Sequence, residues 1–281
     1  MGAAEDIGIL NFATTGYRGQ NYVWEKTESC IPNNYLLYFR SMTEANLQNN
    51  EIIQKMFAAG AHFAFSRSRR HPTFAPFIFG MKNRVEIFDL EKTNTFLEKA
   101  KDFVRTMARE GKQILLVGGK SEARDTVKRS ALALDMPHVA GRWIGGTLSN
   151  FKEIRSRVEK LLDLTGKREK GELAKYTKKE RLLIDREIEK LDRLFSGLIP
   201  MKELPKALFV IDSKHEKIAV TESRKMGIPV IALMGSDCDI KTVDYPIPGN
   251  DASMVSITFF VDQIVLAYKE GTNERLKAQS A

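Results

Sequence analysis

The chain has 281 residues, 43% of them hydrophobic and 28% charged, which is the composition of a globular protein with one large or two ordinary domains. Lysine and arginine total 44 against 36 aspartates and glutamates, and the resulting net charge of +8 favours a polyanionic partner. Two cysteines, Cys30 and Cys238, exclude a disulfide framework, and no spacing of cysteines and histidines is typical of a zinc site. No apolar run is long enough to cross a bilayer, and the N-terminal region lacks the basic, acid-poor composition of a targeting segment.

The N-terminal part of the chain divides into three stretches. Residues 1–41 have no helical or strand periodicity, so we expect an irregular extension there. Residues 42–84 are predicted to form a helix, which a capping box at Ser41–Glu44 begins, followed by a basic arm. Between residues 61 and 84 there is no acidic side chain, and two prolines prevent a long helix, which predicts an extended arm. The basic residues of this arm are Arg67, Arg69, Arg70, Lys82 and Arg84.

Beyond the arm, apolar strands alternate with helices. Wholly apolar runs such as Ile114–Val117 are typical of strands that are buried on both faces. The pattern predicts strands at 85–88, 114–117, 207–211 and 230–233, with helices at 94–109, 122–134 and 215–225 and a last helix that Asp251 caps. This alternation predicts a doubly wound parallel sheet with helices on both faces, formed by residues 85–147 and 197–271, and a flexible tail at 272–281.

The alternation is interrupted at 148–196 by two heptad patterns. Apolar residues step by three and four along each segment, first Phe151, Ile154, Val158 and Leu161, then Ile184, Ile188, Leu191 and Phe195. A second capping box at Thr177–Glu180 marks the start of the second helix. The pattern predicts an antiparallel coiled-coil hairpin inserted in the α/β domain, with 14 basic and 10 acidic residues between 151 and 195.

Two glycine-containing motifs could carry chemistry. Gly118–Ser121 lies between a strand and a helix, as a phosphate-binding loop does, but the position of the loop's first glycine is taken by Ile114. The spacing therefore disfavours nucleotide binding and predicts a tight turn with an exposed lysine. In Gly141–Asn150, Trp143 is either a core residue or a stacking platform, and Arg142 pairs either with phosphate or with an internal carboxylate.

The arm is the strongest candidate for RNA contact, because arginines bind phosphates and aromatic rings stack on unpaired bases. The alternative is a solvated loop whose phenylalanines dock on the domain. Catalysis has no comparable signal: the four histidines are scattered, and Cys238 lies between two aspartates, which disfavours a thiolate. Asp237, Asp239 and Asp244 are interpreted as turn residues rather than a cation site. We expect no catalytic residue, no cofactor and no metal.

Several long motifs, in order from Ile52 to Gly271, resemble the family of small-subunit ribosomal protein two, the S-two family. Its N-terminal signature is matched by Gly60–Phe63, Arg69–Arg70, Pro76–Gly80, Lys82–Asn83 and Asp89–Thr93. Its later signatures are matched by Arg142–Asn150, Val210–Asp212, Gly227–Val230 and Asp244–Asp251. The bacterial members of the family are the most similar, because the predicted hairpin of this chain lies at the position where they have theirs.

The resemblance implies a Rossmann-like (flavodoxin-like) parallel sheet with helices on both faces and an inserted antiparallel coiled-coil helical hairpin. It implies a structural constituent of the small ribosomal subunit, without catalysis, on the cytoplasmic ribosome and not at a membrane. The expected partners are small-subunit ribosomal RNA near the junction of head and body, neighbouring small-subunit proteins and ribosomal protein one. The expected RNA-binding residues are His62, Arg67, Arg69, Arg70, Lys82, Asn83, Arg84, Arg142, Trp143 and Asn150.

The chain departs from the family pattern at a few positions. Ala64–Phe65 stand where the family usually has glycine-histidine, and Gly235 and Ile240 replace its usual aspartate and proline. Residues 1–41 match nothing in the family, so Met42 would be a natural start, and an over-long gene prediction or a lineage-specific extension would each explain them. Two other functions stay open: a nucleotide-dependent α/β enzyme that uses Gly118–Ser121, and a free-standing adaptor that uses the hairpin for protein contacts.

Overall fold

The structure, a computed structural model, describes residues 47–280. Strands β1 (Ile78–Lys82) and β2 (Val85–Phe88) form an antiparallel ribbon. A second sheet is entirely parallel and has the order β4-β3-β5-β6-β7. Its strands are β3 (Ile114–Val117), β4 (His138–Val139), β5 (Ala207–Ile211), β6 (Val230–Met234) and β7 (Tyr245–Pro248). This order is that of a flavodoxin-like sheet, the fold that the family resemblance implies, although the sequence pattern did not predict β4 and β7 as strands.

The described helices flank this sheet. They are α1 (Leu47–Ala58), α2 (Leu90–Arg109), α3 (Ser121–Leu134), α4 (Phe151–Glu169), α5 (Lys178–Phe195), α6 (Lys217–Lys225) and α7 (Met254–Ser280). None of the helices between residues 47 and 280 is both long and apolar enough to cross a membrane.

Alternate residues of each central strand enter two different cores. In β3, Ile114 and Leu116 pack with α2, α3 and α7, whereas Leu115 and Val117 pack with α6 and the base of the helical hairpin. Successive side chains of a strand point to opposite faces of the sheet, so each strand contributes to both cores. The strand residues in both cores are apolar. The uniformly apolar runs in the sequence therefore report a sheet covered on both sides.

The hairpin is built from α4 and α5. Thr177 begins α5 with the predicted capping box, in which the Thr177 hydroxyl and the Glu180 carboxylate each accept a hydrogen bond from the other residue's backbone N–H. The two helices pack on each other, and Lys160 of α4 pairs with Glu187 of α5 at 2.5 Å. The short connection makes them antiparallel neighbours. Supercoiling of the pair stays a prediction.

The hairpin is continuous with the α/β core at its base. Ile154, Val158, Leu191 and Phe195 belong to the same buried cluster as the β5 residues on that face. Arg155 also donates a hydrogen bond to the carbonyl oxygen of Met201 at 3.3 Å. The base of the hairpin is therefore part of the domain, whereas Leu162 of α4 and Leu182 of α5 are exposed.

Two expectations need correction, and two others fall outside the described residues. The predicted flexible tail is wrong, because α7 continues to Ser280 and its tail residue Glu274 forms an ion pair with Arg109 of α2. Asp251 does not cap α7, which begins three residues later; its carboxylate is buried against Lys120. The irregular extension at 1–41 and the capping box at Ser41–Glu44 lie outside the described residues.

Candidate nucleic-acid interface

The basic arm is docked on the body of the protein by its backbone. Ala64 N–H donates to the Glu86 carbonyl oxygen at 2.9 Å, and Phe88 N–H donates to the His62 carbonyl oxygen at 2.8 Å, so the start of the arm lies beside β2. His71 N–H donates to the carbonyl oxygen of Ser236, just after β6, at 2.8 Å. Residues 72–77 then form a short 3-10 helix rather than a fully extended chain. The arm is thus a fixed platform for its side chains.

Two arginines of the arm point into solvent. Arg67 and Arg69 are both exposed, and neither makes an ion pair with any residue of the described part of the chain. The Arg69 guanidinium lies 4.6 Å above the centre of the Phe65 ring, a cation–π contact that holds the charge near the surface. These two side chains are therefore available to an anionic ligand.

Arg70 differs from its neighbours because it is paired inside the protein. Its Nη1 lies 2.8 Å from the Oε1 atom of Glu86, and the Glu86 side chain is only 3% exposed. A buried carboxylate requires a counter-charge, so Arg70 neutralises Glu86 and does not offer a free cation. The phosphate contact expected of Arg70 stays a prediction, and the structure adds an internal ion pair with Glu86.

The ribbon tip, Lys82–Arg84, presents the other two cations of the arm. Lys82 is paired in register with Val85, so Asn83 and Arg84 are the two central residues of the turn. Both have left-handed backbones, with φ of 52° and 66°, as a type I′ hairpin turn requires. All three side chains are exposed. The turn therefore projects two cations and an amide from the end of a hydrogen-bonded ribbon.

Two predicted aromatic site residues are interior. Trp143 is 6% exposed and belongs to the core on the hairpin side of the sheet, so it is a core residue rather than a stacking platform. The His62 ring is stacked on Phe57, with centroids 4.3 Å apart, and burial lowers its pKa. A neutral, enclosed imidazole contributes no cation to the surface.

The motif at Gly141–Asn150 is organised by a carboxylate of α6. Glu222 accepts hydrogen bonds from Gly146 N–H at 2.6 Å and from Leu148 N–H at 3.2 Å, which fixes the turn into α4. Arg142 and Asn150 remain exposed on either side of this turn, and the Asn150 side chain makes no capping hydrogen bond. Arg142 and Asn150 thus form a second exposed polar surface, which is separate from the arm.

The carboxyl ends of the sheet strands, where flavodoxin-like folds bind ligands, are closed by internal charges. Lys120 Nζ lies 2.6 Å from Asp212 and 2.8 Å from Asp251, both of them buried. The Gly119 N–H, which in a phosphate-binding loop would face the phosphate, donates instead to the buried Glu216 carboxylate at 3.1 Å. The expected exposed lysine is therefore a half-buried ion-pair partner, and the Gly119 amide and the Lys120 ammonium are already bound to carboxylates of the protein.

The remaining titratable groups of this region are consistent with a structural network. Burial raises the pKa of the Asp251 carboxyl to about 6 and that of the Cys238 thiol to about 12. Asp212, Cys238 and Asp251 lie close together, and the single ammonium of Lys120 already pairs with both carboxylates. Cys238 is accordingly a neutral, buried thiol.

Sequence reasoning missed the carboxylates that position the interface. Glu86 lies two residues before the buried Phe88 in β2, so the two side chains share the inward face of the strand. That spacing was the available signal that Glu86 is buried and needs a cation. The sequence holds no such signal for Glu216 and Glu222, because only the tertiary fold brings their carboxylates to the backbone amides whose hydrogen bonds they accept.

Comparison with known proteins identifies the family. The small ribosomal subunit protein uS2 of Coprothermobacter proteolyticus is 41% identical to this chain over 223 residues, which cover 79% of the chain and 83% of the relative. A family model described as "Ribosomal protein S2" matches residues 56–271. The chain belongs to the ribosomal protein S2 family. Ribosomal protein S2 is a structural, non-enzymatic constituent of the small ribosomal subunit, so the resemblance found in the sequence is confirmed.

Proposed function

We propose that this S2 protein binds small-subunit ribosomal RNA through the sugar-phosphate backbone, using the exposed cations of the arm and ribbon tip. The residues proposed are Arg67, Arg69, Lys82 and Arg84, with Asn83 as a hydrogen-bond donor between the last two. The observation that supports this most strongly is that four exposed cations lie on a docked, hydrogen-bonded backbone without an acidic partner among the described residues.

The physical argument rests on unpaired charge and rigidity. A cation that already has an acidic partner gains little from a phosphate, whereas an unpaired one releases counterions when it binds. A fixed backbone loses less conformational entropy on binding than a free loop does. Arg142 and Asn150 are proposed as a second contact, because both are exposed beside a turn that Glu222 holds rigid. His62, Arg70 and Trp143 are proposed to support the surface from within.

The protein environment is proposed by family membership. Neighbouring small-subunit proteins and ribosomal protein one are the proposed protein partners, and the cytoplasmic ribosome is the proposed location. We assign no surface of the chain to ribosomal protein one. The arm and the ribbon tip are proposed to contact RNA.

The direct test is incorporation into the subunit. Cells that produce a tagged copy would be lysed and their ribosomes separated on a sucrose gradient at low and high salt. We expect the wild-type protein to sediment with the small subunit, and the variant with alanine at Arg67, Arg69, Lys82 and Arg84 to be released at lower salt. Recovery of wild-type protein only at the top of the gradient would contradict the proposal and favour a free-standing adaptor.

A further inference from the structure

Helix α6 and the loop that precedes it present a basic surface that cannot be recognised from the order of charges in the sequence. Residues 214–225 contain four basic and two acidic side chains, and the two signs are interspersed along the sequence. In the structure both acidic residues turn away from solvent: Glu216 is 3% exposed and accepts from Gly119, and Glu222 accepts from the amides of the Gly146 turn. The four basic residues are all exposed. Folding therefore separates the charges that the sequence intermixes.

The exposed cations line one cleft. Lys217, Val220, Thr221 and Arg224 are spaced three, four and seven residues apart, so they share one helix face, and that face forms a wall of a cleft of about 650 Å³. Lys225 extends the wall at the end of the helix. The volume and open shape suit an extended ligand segment better than an enclosed small molecule.

The charge in the cleft favours an anion. Lys214 pairs with Asp237 at 2.8 Å, so these two lining residues neutralise each other. Asp239 is the other acidic group of the lining, and it lies 4.0 Å from the His71 ring. Lys217, Arg224 and Lys225 make no ion pair with any residue between 47 and 280. Three unpaired cations therefore face one acidic group.

The cleft adjoins the basic arm. His71, which follows the arm arginines, is itself part of the lining. The His71 N–H also donates to the carbonyl oxygen of Ser236 at 2.8 Å, beside the lining residue Asp237, so the arm passes along the edge of the cleft. The basic surface thus continues from the arm onto α6, across the end of β5.

We infer that this cleft is a further binding site for the phosphodiester backbone of RNA, in which Lys217, Arg224 and Lys225 contact phosphates. The inference rests on the proposed RNA-binding function and extends it to a surface that neither the sequence motifs nor the arm includes. A phosphate group could equally come from a free nucleotide or inorganic phosphate. The open cleft continuous with the arm favours a polymer that covers both surfaces.

The first test leaves the protein unchanged. Wild-type protein would be acetylated at its lysines with and without small-subunit ribosomal RNA, and each site would be quantified by mass spectrometry. We expect acetylation of Lys217 and Lys225 to slow at least threefold with RNA, while the exposed Lys128 of α3 reacts equally in both samples. Equal reactivity of Lys217 and Lys225 in fully RNA-bound protein would overturn the inference. So would equal protection by inorganic phosphate or ATP at the same phosphate concentration.

The second test uses matched variants. Replacing Lys217, Arg224 and Lys225 with alanine should lower RNA affinity roughly tenfold at 0.1 M salt and flatten the slope of log affinity against log salt by about two units. The control removes three exposed cations of α3, namely Arg124, Lys128 and Arg129, and should keep the wild-type slope. If the α6 variant binds like wild type while the arm variant binds weakly, the inference fails and the proposed function stands. If neither variant changes RNA binding, both fail.

Discussion

Replacing Arg70 with alanine should destabilise the protein, whereas the same change at the adjacent Arg69 should not. Arg70 is the counter-charge of Glu86, whose side chain is 3% exposed and whose second carboxylate oxygen, Oε2, has no hydrogen-bond partner among the described residues. The variant would leave a buried carboxylate without a cation. Arg69 is exposed and contacts only the Phe65 ring, so its loss removes one cation–π contact.

The expected magnitudes differ clearly. Removing one partner of a buried ion pair costs about 3–5 kcal/mol, and the 22% exposure of Arg70 places this pair near the lower end, at roughly 2–4 kcal/mol. For a domain of this size that corresponds to a fall in melting temperature of roughly 6–12 °C. Alanine at Arg69 should cost at most about 1 kcal/mol.

Urea unfolding at neutral pH would measure both variants, with circular dichroism as the signal. Changing Glu86 to glutamine in the Arg70→Ala background should recover at least half of the lost stability, because the buried charge is then gone. The reasoning would be refuted if Arg70→Ala lay within about 0.5 kcal/mol of wild type, or if the glutamine gave no recovery.

Three further outcomes follow from the structure. Because burial raises the pKa of Asp251 to about 6, above its ordinary value of 3.8, the folded state holds this proton more tightly, and the contribution of Asp251 to stability should fall as pH rises from 4 to 6. Asp251→Asn should therefore cost more stability at pH 4 than at pH 7 in urea unfolding, and a cost that grows with pH would contradict this. Arg84→Gly should relieve a left-handed backbone, raising stability by up to about 1 kcal/mol, yet weaken RNA binding by removing a cation; equal RNA affinity would argue against the ribbon tip as a contact. Phe195→Ala should cost about 3–5 kcal/mol, while replacing 163–183 with a short glycine-serine link should leave the remaining domain folded by circular dichroism. Global unfolding on that replacement would show that the distal hairpin is integral to the core.

The parallel sheet could be predicted from sequence because burial on both faces leaves a local signal. Ile114–Val117 and Ala207–Ile211 are strands with the predicted bounds, since a short uninterrupted apolar run is typical of a parallel strand that is buried on both faces. The last helix was predicted too short for a different reason. Gly271 reads as a helix terminus, but it is a packing position, where an added Cβ would lie 2.5 Å from the Arg105 carbonyl oxygen. A glycine required by an interhelical contact cannot be told from a terminating glycine by sequence alone.

The candidate site was predictable in composition but not in charge pairing. The absence of acidic residues between 61 and 84 located the arm, yet Arg70 is satisfied by Glu86, which lies just beyond that interval. Lys120 likewise reads as exposed beside glycines, and only the fold brings Asp212 and Asp251 to it. Charges that pair across the tertiary structure leave no periodic signal in the sequence. Composition therefore overestimates the number of unpaired cations in the arm and underestimates the number on α6.

The salt dependence of RNA binding tests the central claim most directly. The affinity of purified protein for small-subunit ribosomal RNA would be measured between about 50 and 300 mM salt. The variant carries alanine at the four exposed cations of the arm and ribbon tip, Arg67, Arg69, Lys82 and Arg84, with Arg70 retained for stability. Its control carries alanine at Lys99, Arg124, Lys128 and Arg129. We expect the variant to flatten the slope of log affinity against log salt by about three units, and the control to keep the wild-type slope. A variant whose slope equals that of wild type, in a protein shown to be folded, would contradict the account.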